Sequence, residues 1–144
     1  MNTIYLISKN FINSNEILKE AELIAKELKV DFSNKNNLNY IELQFFLPEE
    51  RPYFEFMMDG EKRFNQTKME KNFIENYGII GYFYYDYDSP YFIPFLKLLL
   101  NKYSELLIFN DEGPALNHPF VYTKAHLEAY TGKFADIFTK APKL

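Results

Sequence analysis

Asp86-Tyr87-Asp88 sets two carboxylates two residues apart, a spacing at which alternate side chains near a strand end can share one divalent cation. Further on, Asp111-Glu112-Gly113-Pro114 precedes His118 and Tyr122. The acidic turn with His118 resembles a loop metal site, and together with Tyr122 these groups could line a pocket for a small ligand. Each group also has a plainer reading. Three-residue acidic patterns recur by chance at solvated strand ends, and Asp-Glu-Gly-Pro is turn chemistry that lacks the ligand series of an EF-hand loop. His118 and His126 are the only histidines and do not stand at zinc-binding spacing. Serines at 8, 14, 33, 89 and 104 lie outside any G-x-S-x-G elbow, and the five glycines form no phosphate loop. No catalytic residue, metal ligand or cofactor is therefore assigned. Asp111, Glu112, His118 and Tyr122 stand as a candidate pocket for an alternative reading, a small enzyme or ligand-binding domain.

A stronger pattern runs through Ile79 to Asp88. In an extended strand successive side chains point to opposite faces, so Ile79, Phe83, Tyr85 and Tyr87 share one side and Ile80, Tyr82, Tyr84, Asp86 and Asp88 the other. Residues 40–47 and 53–59 alternate in the same way. Ile41, Leu43, Phe45, Phe54, Phe56 and Met58 fall on the side of Phe83 and Tyr85, beneath a layer of helices. The opposite side collects Tyr40, Glu42, Gln44, Phe46, Tyr53, Glu55, Met57 and Asp59. Together with Tyr82, Tyr84, Asp86 and Asp88 these make a face of aromatic rings and carboxylates. Three uses are open to it: an ordinary solvated face, a recognition surface, or a face wrapped by the C-terminal residues.

The elements that must position this face follow in order. Residues 3–8 read as a strand rather than a leader peptide. Asn13 with Glu16 offers a capping box for a helix whose apolar stripe is Ile17, Ala21, Ile24 and Leu28. Residues 31–39 read as a loop, and the strands at 40–47 and 53–59 form a hairpin. Gly60 to Arg63 reads as a turn. Thr67 with Glu70 predicts a second capping box, starting a helix through Phe73, Ile74 and Tyr77 that Gly78 ends. The strand at 79–88 completes the order strand, helix, strand, strand, helix, strand. This predicts an α+β fold with a ferredoxin-like βαββαβ core over residues 1–88, a mainly antiparallel sheet and helices on one face. Residues 89–144 add a helix-strand-helix extension. Its helix starts at Ser89-Pro90 or nearer Phe92, its strand is 106–109, residues 115–120 cross irregularly, and Thr123 caps the last helix. Residues 1–144 form one domain.

Composition narrows the function classes. A chain of 144 residues can bury roughly two-thirds of its unfolded surface without a covalent staple. Cysteine is absent, which excludes disulfide and thiolate chemistry and suits a cytoplasmic setting. No apolar run approaches the roughly 20 residues that span a bilayer, so no membrane role is expected. The net charge of −4 and the scarcity of arginine argue against nucleic acid, which calls for clustered basic residues. A basic protein partner fits better. Glu42, Tyr53, Glu55, Asp59, Tyr82, Tyr84, Asp86 and Asp88 are the candidate partner-binding residues, since tyrosine gives contact area at low entropic cost and carboxylates pair with arginine.

A small, acidic, cysteine-free domain with a tyrosine- and carboxylate-rich surface, in a sequence rich in Asn, Lys and Ile, resembles the immunity proteins of bacterial contact-dependent inhibition and polymorphic-toxin systems. The resemblance is one of overall character across the chain. It implies specific binding of a cognate toxin domain, often a basic nuclease, in the cytoplasm of the producing cell. The toxin would be neutralised by covering its active surface, with no cofactor and with this chain acting as a monomer or weak dimer.

Overall fold

The computed structural model describes residues 2–36, 40–46, 52–70, 74–86, 89–110, 120–132 and 137–138. Its elements are β1 (Asn2–Ser8), α1 (Ser14–Leu28), β2 (Asp31–Asn36), β3 (Ile41–Phe46), β4 (Pro52–Met58), α2 (Glu61–Lys68), β5 (Gly78–Tyr85), α3 (Phe92–Lys102), β6 (Leu107–Asn110), β7 (Phe120–Tyr122) and α4 (Lys124–Ala129). The fold is α+β, with one seven-stranded sheet in the order β2-β3-β4-β5-β1-β6-β7. Every neighbouring pair of strands is antiparallel.

Period-2 alternation puts the expected residues under the helices. Leu43, Phe45, Phe54, Phe56, Met58, Phe83 and Tyr85 are buried, and Ile41 packs at the margin of the same core. Registers Phe45↔Phe54 and Phe56↔Phe83 bring rings face to face with centroids 4.4 and 4.2 Å apart. Phe92 and Phe95 of α3 close over them, with Phe92 stacked on Tyr85 at 4.4 Å. The buried stripe of α1, Ile17, Ala21, Ile24 and Ala25, joins this core beside α3. Its start is tied by Asn13, whose Oδ1 accepts the Asn15 amide at 2.8 Å. Phe138 also enters, edge-on to Tyr122.

Four sequence expectations are corrected. The strand order does not give the ferredoxin-like arrangement, in which the first strand would lie between β4 and β5; here β5 separates β1 from β4, and β6 is β1's other neighbour. Order of elements along a chain constrains strand neighbours only weakly, and the meander β2-β3-β4-β5 satisfies the same sequence of elements.

The expected loop at residues 31–36 is edge strand β2. Its residues have poor strand propensity, but β3 supplies a ladder and Phe32 packs on Phe45 at 5.5 Å, so tertiary pairing overrides propensity. The second helix runs earlier than Thr67-x-x-Glu70 implies. Gly60, at φ +85°, opens it, and Thr67 lies in its last turn. Ile74 and Tyr77, expected in that helix, lie outside it beside Asn76 in left-handed conformation. The irregular crossing ends in a third addition to the sheet edge, β7, which pairs with β6.

A bulge alters one face assignment. On β1, Leu6 pairs with Gly81 but Ile7 with Ile79, so Ile80 is passed over and the parity of β5 switches. Ile80 joins the main core, whereas Ile79 turns to the opposite face with Ile7 and Phe109. The sequence alternation predicts the reverse for both isoleucines. Gly81 sits at this slip because a Cβ there would run into the Met57 carbonyl and the Phe56 ring.

Candidate functional site

The face of the sheet turned away from α1 and α3 is built in three bands. On β2 to β4, Lys35 pairs with Glu42, Gln44 with Glu55, and Glu42 with Met57. Next, β5 and β1 contribute Tyr84 opposite Glu55 and Thr3, and Tyr82 opposite Met57 and Tyr5. Beyond them Ile7, Ile79 and Phe109 form a second apolar cluster, flanked by Ile74, Tyr77 and Val121. Acidic, phenolic and apolar side chains thus succeed one another across the strands.

The acidic and phenolic groups of this face are partly withdrawn from water, whereas Lys35 is exposed. Glu42, Glu55, Asp59, Tyr82, Tyr84 and Asp86 are all half-buried. Burial pushes the Glu55 carboxyl above its ordinary value, and the Glu42 charge adds to this, while Lys35 and the Gln44 amide act the other way. Gln44 also donates to Glu42 Oε1 at 3.3 Å. Tyr82 is pushed up to about 12 by burial first, then by Asp59, by the phenols of Tyr84 and Tyr5, and by Glu42. It is therefore a neutral phenol over the whole physiological range, and its hydroxyl donates to Met57 Sδ at 3.2 Å. The rings of Tyr82 and Tyr84 meet edge to face at 5.3 Å, and Tyr5 lies 6.3 Å from Tyr82.

A half-open cleft of about 340 Å³ sinks into this face where β4 ends. Thr3, Tyr5, Ile79, Tyr82 and Tyr84 line it from β1 and β5. Asp59 and Arg63 reach it from either side of the Gly60 turn. The structure thus brings together Asp59, Tyr82 and Tyr84 from the sequence-predicted set, with Glu42 and Glu55 on the adjoining strands. Tyr53 lies on β4, and its side chain is outside what the structure describes, as is Asp88. Asp86 follows β5, and its carbonyl accepts the Ser89 amide at 3.1 Å.

Thr3, Tyr5, Arg63 and Ile79 were not legible as site residues. The Thr3-Tyr5-Ile7 alternation carried a signal for the first two. Arg63 was hidden by reading the start of α2 as a turn, and Ile79 by the bulge.

Of the alternative pocket, Asp111, Glu112 and His118 lie outside the described residues. Tyr122 is fully buried in the core against Phe138, where burial raises its phenol. His126 serves α4: its Nδ1 accepts the Thr123 amide at 2.9 Å, and the Thr123 hydroxyl accepts the His126 amide. Among the described residues no three His, Asp or Glu side chains gather as metal ligands, and no helix is long and apolar enough to cross a membrane. Compared with protein families, with curated proteins and with solved structures, the chain has no significant match in any of the three.

Proposed function

We propose that this chain is an immunity protein that binds a basic toxin domain of the producing bacterium and neutralises it by covering the toxin's active surface. The observation that carries the reading is the grouping of Glu42, Glu55 and Asp59 with Tyr82 and Tyr84 on the sheet face that α1 and α3 leave open. Half-buried carboxylates beside phenol rings have already lost part of their hydration. An incoming arginine can then replace what remains with bidentate hydrogen bonds and ring stacking. The acidic net charge would speed encounter with a basic partner. On this reading the protein does no chemistry of its own and works in the cytoplasm as one chain per toxin.

The test uses the product of the neighbouring gene as the partner, with binding kinetics measured by surface plasmon resonance at two salt concentrations. Charge reversal at Glu42, Glu55 or Asp59 is expected to lower the association rate by roughly tenfold or more at low salt, with a smaller loss at high salt. Association rates that stay at the wild-type value in all three variants would remove this face from the interface. No binding of the neighbouring product to the intact chain would remove the immunity reading itself.

A further inference from the structure

The cleft holds opposite charges that do not satisfy one another. Asp59 and Arg63 both line it, yet no ion pair within 4.0 Å joins them, and among the described residues neither side chain is hydrogen-bonded or ion-paired. The Gly60 turn at φ +85° separates the two residues, with Asp59 following β4 and Arg63 on the first turn of α2. The rest of the lining is amphipathic, with the phenols of Tyr5, Tyr82 and Tyr84 beside apolar Ile79 and the hydroxyl residue Thr3. The space of about 340 Å³ falls at the small end of the range that binds low-molecular-weight ligands.

We propose that this cleft binds a small zwitterion of the amino-acid class, its ammonium group held by Asp59, its carboxylate by Arg63, and its side chain against Tyr82, Tyr84 and Ile79. A ligand with a single charge would leave one of the two protein charges unmatched. A zwitterion matches both at once, with the guanidinium taking the carboxylate in a bidentate pair. The hydroxyl of Tyr82 is directed to Met57 Sδ, so this residue presents its ring rather than its hydroxyl to the occupant. The pocket does not depend on the immunity reading, because it needs only the folded chain.

The probes are free L-phenylalanine, L-tyrosine and L-leucine, each alongside its N-acetyl and its carboxamide derivative. The derivatives remove the ammonium and the carboxylate charge in turn. Amide resonances of the isolated, isotope-labelled chain report binding, with no partner protein present. At least one free amino acid should shift the resonances of residues 3–5, 59–63 and 79–84, and each of its blocked derivatives should bind on the order of tenfold more weakly. Asp59→Asn should abolish the advantage over the N-acetyl form alone, and Arg63→Gln the advantage over the carboxamide alone; far-UV circular dichroism verifies that both variants fold. Absence of shifts for all three free amino acids would overturn the proposal. So would equal affinity for free and blocked forms, or an unchanged preference in either variant. Failure here leaves the toxin-binding test above untouched, because that test reads a different ligand.

Discussion

The two faces of β3, β4 and β5 alternate residue by residue, yet they use aromatic rings for opposite purposes. Beneath the helices Phe45, Phe54, Phe56 and Phe83 are stacked in pairs and have at most 1% of their surface exposed. One residue along the same strands, Tyr82 and Tyr84 keep part of each ring in contact with water, and carboxylates stand on the neighbouring strands. The covered face gains stability from apolar area and ring packing. The open face gives some of that up by drawing polar and charged groups partly out of water, a cost that a bound molecule would offset on the proposed docking reading. Adjacent residues of β5 should therefore differ sharply in what their removal costs.

Phe83 and Tyr84 are the most direct pair for breaking that contrast. Phe83→Ala empties a site that touches Phe56, Phe92 and Phe95, and is expected to cost about 3–5 kcal/mol in urea denaturation. Tyr84→Ala removes a half-buried ring and should cost only about 1 kcal/mol. Equal losses would mean that the open face is a second core, and the docking reading would lose its basis.

The contrast is sharpened at the joint between the faces. Ile79 reaches the open side because the bulge passes over Ile80, and the Ile79 amide is held there by Thr67 Oγ1 at 2.9 Å. The same hydroxyl donates to the carbonyls of Arg63 and Phe64, so one buried group ties the end of α2 to the start of β5. Thr67→Val keeps the shape and deletes the acceptor. The stranded Ile79 amide should cost about 1–3 kcal/mol, and hydrogen exchange should quicken at residues 78–80 before it does at Phe83. Uniform loss of protection along β5 would show that the bulge has no separate anchor.

These elements also show where sequence carried information and where it did not. Alternation in residues 41–46, 54–58 and 82–85 was legible because burial on one side of a strand fixes residue type at every second position. It therefore placed the whole phenylalanine layer and Glu42, Glu55, Tyr82 and Tyr84 on opposite sides, as found. A bulge adds one residue without any mark in composition, so Ile79 and Ile80 were exchanged. Thr67 matched a helix start because Thr-x-x-Glu encodes only local hydrogen bonding, while its actual partners come from the preceding turn and from a strand twelve residues on. Strand β2 was invisible because Asp31-Phe32-Ser33-Asn34-Lys35-Asn36 is extended only through pairing with β3. The cleft takes Ile79 from the bulge and Arg63 from the earlier start of α2, and so only part of its lining could be anticipated.

The smallest expected effect tests the electrostatic side of the same contrast. Among the described residues no carboxylate is fully buried, and Glu55 is the one whose carboxyl is raised, by burial first and by Glu42 second. A carboxyl raised in the folded state holds its proton at pH values where the unfolded chain, near 4.5, has released it. Stability contributed by this group is then complete below the unfolded value and falls as pH rises through the window above it, so the penalty grows toward neutral pH. Glu55→Gln should raise the melting temperature at pH 7 and leave it unchanged at pH 3. Glu42→Gln relieves only the lesser cause and should give a smaller rise of the same sign. If a basic partner supplies the missing charge, the sign reverses in the complex. Glu55→Gln would then melt higher than wild type when free and lower when bound, a crossing that a merely solvated carboxylate cannot produce.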